Sequence, residues 1–245
     1  DQVYQLKNNG IEAEYLSSEL DEFDAETIFN RCKEGLTKLL YISPERLTNR
    51  TFLQNLEEIQ ISFIAVDEAH CISEWGQDFR PSYQNIKDFR THFKEIPCLA
   101  LTATATPKVL QEIQVKLNLK NPEIFKKSFR RTNIKIISDK ISDKYQRLLN
   151  LLKYNSSSGI VYVRTRKESE ELVKFLQSNK IQNVDFFHAG LPAKEKNAKQ
   201  NFWLKSQQHV LISTNAFGMG IDKDNVRFVV HFSPPQSLEN YYQEI

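Results

Sequence analysis

This sequence predicts an α/β fold with mainly parallel sheets flanked by helices, laid out as two consecutive units. Three observations carry that expectation. Short apolar runs, rich in β-branched and aromatic residues, recur along the chain and are continuous rather than alternating, as parallel strands covered on both faces are. Longer amphipathic stretches lie between them. The alternation halts in a polar, basic stretch near the middle and then restarts.

The expected strands are LLYI (39–42), FIAV (63–66), CLALT (98–102), GIVYV (159–163), VDFF (184–187), HVLIS (209–213) and RFVVHF (227–232). The expected helices are Asp1–Asn9, Thr27–Glu34, Pro107–Leu117, Lys144–Leu152, Lys167–Ser178 and Ala193–Lys205. Ser128–Asn133 is polar and basic, and Asn155–Gly159 is a loop signal directly before a strand. The boundary is therefore expected near Arg131–Ile137, giving units 1–132 and 133–245. In such a fold, functional residues sit at the carboxyl ends of strands.

Composition narrows the class. The chain has 245 residues, 40% hydrophobic and 26% charged, enough for two cores. Its net charge of +2 does not by itself imply a polyanionic partner. Acidic groups concentrate in residues 12–34 and basic ones in 126–147, a run that suits either a solvated surface or phosphate contacts. Three cysteines, Cys32, Cys71 and Cys98, with no CxxC pair argue against a disulfide framework or structural zinc and fit a reducing cytoplasm. No apolar run approaches the roughly 20 residues of a membrane span, and no signal peptide is visible. The chain begins at Asp1 and stops at Ile245 without a terminal signal, so a piece of a longer protein is expected.

The chemistry concentrates in FIAVDEAH. An apolar strand runs into two carboxylates and delivers Asp67 and Glu68 to its end. Nucleotide hydrolysis needs one carboxylate to hold Mg²⁺, usually through water, and another to orient or deprotonate the attacking water. Asp67 suits the metal and Glu68 the base, with His70 placed to relay the nucleotide state. A strand end followed by an acidic turn is the plain alternative; Ala69 and His70 make the motif specific. Next comes CISEWGQDFRP, which sets Trp75, Phe79 and Arg80 in one loop among turn formers. Flat rings and a guanidinium make a platform for stacking unpaired bases and holding phosphate. The alternative is a Trp and Phe packed beneath the loop, with Arg80 solvated or paired to Asp78.

Residues 67–83, DEAHCISEWGQDFRPSY, resemble the RecQ family of superfamily-two DNA helicases, as a Walker B motif running into that family's aromatic-rich loop. The resemblance extends over essentially the whole chain. It implies two RecA-like domains, both expected to be incomplete here. KLLYISPERL (38–47) resembles motif Ib, implying that Ser43, Pro44 and Glu45 lie near DNA. LTATAT (101–106) resembles motif III, with Thr102 and Thr104 linking the nucleotide and DNA sites. GIVYVRTR (159–166) resembles motif IV, so Thr165 and Arg166 inherit phosphate contacts, and His188 begins the next landmark. STNAFGMGIDK (213–223) resembles motif V, with Thr214 at DNA phosphate and Gly220 and Asp222 on the nucleotide side. VRFVVHFS (226–233) and SLENYYQEI (237–245) run into motif VI, where Gln243 is the nucleotide-side candidate. Taken singly, each has a bland alternative: threonine helix caps, glycine turns, a satisfied core histidine. Their shared order and register point to the family.

Three positions depart from the family pattern. Gln77 stands where His is frequent, Arg164 where a smaller polar residue is common, and Thr132 where Pro is usual. The sequence contains no GxxxxGK[ST] phosphate loop. The resemblance implies that this loop, the adenine-reading glutamine, the arginine fingers and the zinc-binding and winged-helix regions lie outside these residues. This stretch by itself is thus expected to hydrolyse ATP poorly or not at all. For the intact protein the resemblance implies an ATP- and Mg²⁺-dependent 3′ to 5′ helicase acting on single-stranded and forked DNA in repair or recombination. No membrane is involved, and the setting is cytoplasmic, nucleoid-associated in a bacterium and nuclear in a eukaryote. An RNA or nucleoprotein-remodelling ATPase and a non-catalytic nucleic-acid-binding module are the competing readings.

Overall fold

The computed structural model describes residues 2–17, 20–48, 50–75, 79–128, 131–218, 221 and 223–245. The chain divides into two compact units, Asp1–Lys127 and Ser128–Ile245.

The first unit contains α1 (Gln2–Asn8), β1 (Ala13–Leu16), α2 (Glu22–Lys33), β2 (Leu39–Ile42), α3 (Arg50–Glu57), β3 (Ile64–Val66), α4 (Gln84–His92), β4 (Cys98–Ala100) and α5 (Pro107–Lys116). Short 3₁₀ turns lie at Pro44–Thr48, Ala69–Ile72 and Pro81–Tyr83. β1 pairs with β2, and β3 with β4, both in parallel. Leu16, Phe29, Phe52, Leu56, Ile72, Ile113 and Leu117 form the centre of its core. The Phe29 and Phe52 rings meet edge to face at 5.3 Å.

Two expectations change here. β2 and β4 are not covered on both faces: Leu39, Tyr41 and Leu99 are exposed while their neighbours pack inward. Helices cover one side of each strand pair among the described residues, so burial follows the period of two. α2 starts at Glu22 rather than Thr27, because Asp21 caps it: the Asp21 carboxylate accepts the Asp24 N–H at 2.8 Å. Glu22 and Asp24 in the first turn complement the helix dipole, so these members of the acidic run help to start the helix.

The second unit contains α6 (Lys144–Lys153), β5 (Ser158–Tyr162), α7 (Arg166–Ser178), β6 (Val184–Phe187), α8 (Ala193–Lys205), β7 (Val210–Ser213), β8 (Val226–His231) and α9 (Leu238–Glu244). Its sheet is parallel, in the order β6-β7-β5-β8. Here both faces are covered. Val161, Val163, Val210 and Ile212 pack against Leu148, Leu149, Leu172 and Leu176 on one side. Ile160, Tyr162 and Leu211 pack with Phe187, Trp203 and Phe217 on the other. That two-sided burial explains why GIVYV and HVLIS are apolar without interruption. No helix among the described residues is long and apolar enough to cross a membrane.

Gly159 in β5 is demanded by its neighbour. A Cβ there would lie 2.3 Å from the Phe228 ring of β8. Gly159→Ala is expected to destabilise the second unit by about 1–3 kcal/mol, the usual cost of overpacking. Denaturant unfolding checks this, and Phe228→Leu in the same background should recover part of the loss. Full stability in Gly159→Ala alone would show that the ring moves aside freely.

Candidate functional site

β3 and β4 are parallel neighbours, so their carboxyl ends lie side by side. The ladder runs past both strands: Leu101 N–H donates to Val66 O at 2.9 Å, and Ala69 N–H to Leu101 O at 2.8 Å. Asp67 and Glu68 emerge at this edge. Asp67 is exposed, and one of its carboxylate oxygens accepts the Glu68 N–H at 2.9 Å. Glu68 has a left-handed backbone (φ 46°, ψ 41°), an uncommon state for a residue with a side chain. This turn carries the chain back beneath β4 and brings His70 to Thr102.

The His70–Thr102 contact is specific in its donors. Thr102 Oγ1 donates to Thr104 O at 2.9 Å and accepts the Thr104 N–H at 3.2 Å. Its remaining lone pair faces His70 Nδ1 at 2.9 Å, so the network assigns the proton to Nδ1. Glu68 Oε2 lies 3.3 Å from the same nitrogen. The imidazole is buried and touches both the base candidate and the threonine pair. Tyr83 O–H donates to Asp67 O at 3.3 Å. Burial pushes the Tyr83 phenol up to about 12, with the nearby Cys71, Glu68 and Asp67 adding to the shift.

Among the described residues no group of three or more His, Cys, Asp or Glu could hold a metal by itself. Asp67 would therefore leave most ligand positions of a cation to water and phosphate oxygens, which suits Mg²⁺, a reluctant dehydrator.

The aromatic loop leaves from a closed neck. Arg80 N–H donates to Cys71 O at 3.0 Å, and Ala69 through Ser73 are buried at its base. The Ile72 carbonyl accepts from Gln84 Nε2 at 2.8 Å and from Lys116 Nζ at 3.0 Å. From this fixed base Trp75 projects, 64% exposed, with Phe79 37% exposed. Lys108 of α5 places its ammonium 2.8 Å from the centroid of the Trp75 ring. Gln77, with Gly76 and Asp78, lies outside the described residues.

Glu45 gathers the motif at the end of β2. Its own backbone N–H and the Ser82 hydroxyl hold its carboxyl below the ordinary value, helped by the Arg80 charge. Pro44 O accepts from Asn85 Nδ2 at 3.0 Å, and Ser43 N–H donates to Leu16 O at 3.1 Å. Ser43, Pro44, Glu45 and Arg80 thus share one surface beside the aromatic loop.

Two family profiles match the chain: DEAD/DEAH box helicase over residues 1–113, and helicase conserved C-terminal domain over residues 143–245. An ATP-dependent DNA helicase RecQ of Pasteurella multocida is 41% identical over 245 residues, covering 100% of this chain and 39% of the relative. The ATP-dependent helicase SGS1 of Saccharomyces cerevisiae is 38% identical, covering 100% of this chain and 17% of the relative. Over its full length the chain is similar to RecQ helicases. It spans about two fifths of the length of the bacterial RecQ relatives it matches. Among solved structures, S. cerevisiae Dbp5 bound to RNA and ADP BeF3 matches with a TM-score of 0.66 at 19% identity, covering 96% of this chain and 60% of that one. Mycobacterium smegmatis Lhr bound to ssDNA and AMP-PNP gives 0.63 at 15%, covering 99% and 34%. At these identities the likeness speaks for the fold, α/β with RecA-like domains.

In the second unit, the carboxyl ends of β5, β6, β7 and β8 share one edge because all four strands run the same way. Thr165, Arg166, His188 and Thr214 follow three of those ends. Thr165 caps α7, accepting the Glu168 N–H at 3.1 Å. Arg166 lies against Gly190, where a Cβ would come 2.7 Å from its Nη1, so glycine lets the guanidinium rest on the turn after His188. His188 is only 5% exposed, with Nε2 3.1 Å from Glu170 Oε1. Thr214 is also buried. Gly218 has φ +131°, and a Cβ there would lie 2.5 Å from the Tyr162 hydroxyl, which donates to Phe217 O at 2.9 Å. Gln243 sits in α9, its side-chain nitrogen buried without a hydrogen-bond partner, next to Glu244, which pairs with His231 at 2.9 Å. Gly220 and Asp222 lie outside the described residues.

Sequence reasoning passed over Lys108, Lys116, Tyr83 and Glu168. Lys108 had a readable signal: a lysine just after a Thr-Pro helix start opposes the helix dipole. Glu168 had none, because its partners are distant in sequence. Its carboxylate accepts the Arg164 N–H at 3.0 Å and the Ser233 hydroxyl at 3.0 and 3.2 Å, and lies 3.4 Å from Lys144 Nζ. Burial raises its pKa, but the Arg164 N–H, the Ser233 hydroxyl and the Lys144 charge outweigh that and hold it below the ordinary 4.5. A carboxyl held low in the folded state stabilises it above the unfolded value and loses that contribution as pH falls through the folded one. Glu168→Gln should therefore lower the unfolding midpoint at neutral pH, with the gap to wild type closing below about pH 4. Thermal unfolding across pH checks this; a gap of constant size would remove the carboxylate from the explanation.

Proposed function

We propose that the protein containing this chain is an ATP-dependent DNA helicase that moves 3′ to 5′ on single-stranded DNA and separates the duplex ahead, with forked DNA among its substrates. The observation that supports this best is the 2.9 Å His70–Thr102 bond, between a carboxylate pair suited to hydrolysis and the segment that grips the aromatic loop. Repair or recombination is the proposed setting, in the nucleoid of a bacterium or the nucleus of a eukaryote.

The residues divide the work. Asp67 would hold Mg²⁺ through water, and the bound cation would neutralise charge on the ATP phosphates. Glu68 orients the attacking water and takes its proton. His70 senses whether Glu68 is engaged, since one imidazole nitrogen lies 3.3 Å from Glu68 and 2.9 Å from Thr102. Gly220, Asp222 and Gln243 serve the nucleotide side. Trp75 and Phe79 stack bases, while Arg80, Ser43, Pro44, Glu45 and Thr104 line the strand's path in the first unit. Thr165, Arg166, His188 and Thr214 do so in the second, where Arg166 makes the direct phosphate contact and buried His188 and Thr214 shape the turns beneath it. Movement requires that DNA affinity differ between nucleotide states.

In the full-length protein, Glu68→Gln should keep ATP binding and abolish turnover; retained turnover would remove the base assignment. Trp75→Ala should leave the fold intact, because the ring is exposed, yet disconnect hydrolysis from DNA. Hydrolysis measured with single-stranded DNA and with RNA decides the substrate: stronger stimulation by DNA is expected, and equal or stronger stimulation by RNA would replace this reading with an RNA motor.

A further inference from the structure

We propose that Lys108 is a further nucleic-acid contact that shares the Trp75 ring with the bound strand: its ammonium covers one ring face in the free protein and moves to phosphate when a base stacks there. This rests on the proposed DNA-binding role of the aromatic loop. Three observations carry it. The ammonium sits 2.8 Å from the ring centroid although Trp75 is 64% exposed, so the ring meets a cation on one face and solvent elsewhere. Lys108 also occupies the first turn of α5, after the Thr106 cap and Pro107. The helix dipole makes this end positive, which disfavours a cation and favours an anion beside it.

The third observation concerns what holds the loop. Lys116, at the other end of α5, already fixes its base through the Ile72 carbonyl at 3.0 Å and Glu74 at 3.6 Å. The described base of the loop is held by Lys116 without a contact from Lys108. Lys108 is exposed and free to swing, and a phosphate next to a base on Trp75 falls within reach of its four-carbon stem. Trading an exposed ammonium–ring contact for base–ring stacking plus an ammonium–phosphate pair is favourable on both counts. Binding a strand would therefore uncover Trp75 and neutralise one phosphate in the same step.

The test is binding of a fluorescent oligo-dT strand to the full-length protein across a salt series, for wild type, Lys108→Met, Lys108→Arg and Trp75→Ala. Losing one neutralised phosphate lowers the slope of log affinity against log salt by about 0.7 on a single strand. Lys108→Met should show that drop, with affinity several-fold weaker at low salt, a gap that narrows as salt rises, and an unfolding midpoint like wild type. Lys108→Arg should restore the slope. If Trp75→Ala weakens binding while Lys108→Met changes neither slope nor affinity, this inference is overturned and the helicase reading stands. Weaker binding with an unchanged slope and a lowered midpoint also overturns it, since that is a structural role. Wild-type protein that fails to bind the strand overturns both.

Discussion

The hydrogen bond from His70 to Thr102 is the contact on which the first unit's organisation depends. It is short, partly buried and directional, and it joins two segments 32 residues apart in sequence. On one side of it stand Asp67 and Glu68. On the other stands Thr104, which leads directly into α5. A buried polar group without its partner costs more than the bond itself contributes, so this contact is held in one arrangement or exchanged for another well-formed one. That property suits a switch. Glu68 Oε2, 3.3 Å from the same nitrogen, is the alternative partner already in place.

Sheet geometry makes the contact available at little cost in chain length. Two parallel neighbours present their carboxyl ends together, so β3 delivers the carboxylates one strand away from the threonines that β4 delivers. The left-handed Glu68 backbone then folds His70 under β4 instead of letting it run outward. From there α5 closes the circuit. It starts at the threonine motif and holds the base of the aromatic loop through Lys116, while Lys108 lies over the Trp75 ring. On the proposed reading, a change at the carboxylates would reach the loop through one hydrogen bond and one helix, with no long side-chain relay.

Much of this architecture was legible in the sequence, and the exceptions have physical causes. β2, β6 and α8 fall on the predicted residues because their apolar patterns are short and cleanly bounded. β1 was missed since Glu14 and Tyr15 interrupt its apolar residues, and only Ala13 and Leu16 face the core. α3, α4 and α9 were not among the expected helices; each is short, with seven to nine residues. In the site, the order of motifs announced which residues belong together along the chain. It did not announce that Thr102 accepts a hydrogen bond from His70, that Glu168 ties Arg164 to Ser233, or that Arg166 rests on Gly190. Those are contacts between distant segments, which local patterns do not encode.

The His70–Thr102 link is tested most directly by a double-mutant cycle on DNA-stimulated ATP hydrolysis in the full-length protein, with His70→Ala, Thr102→Val and the pair. If one bond transmits the signal, each single change removes most of the stimulation and the double change adds little, a departure from additivity of about 0.5–3 kcal/mol. Losses that simply add would mean that His70 and Thr102 act independently, and that the aromatic loop takes its cue from the nucleotide by another route.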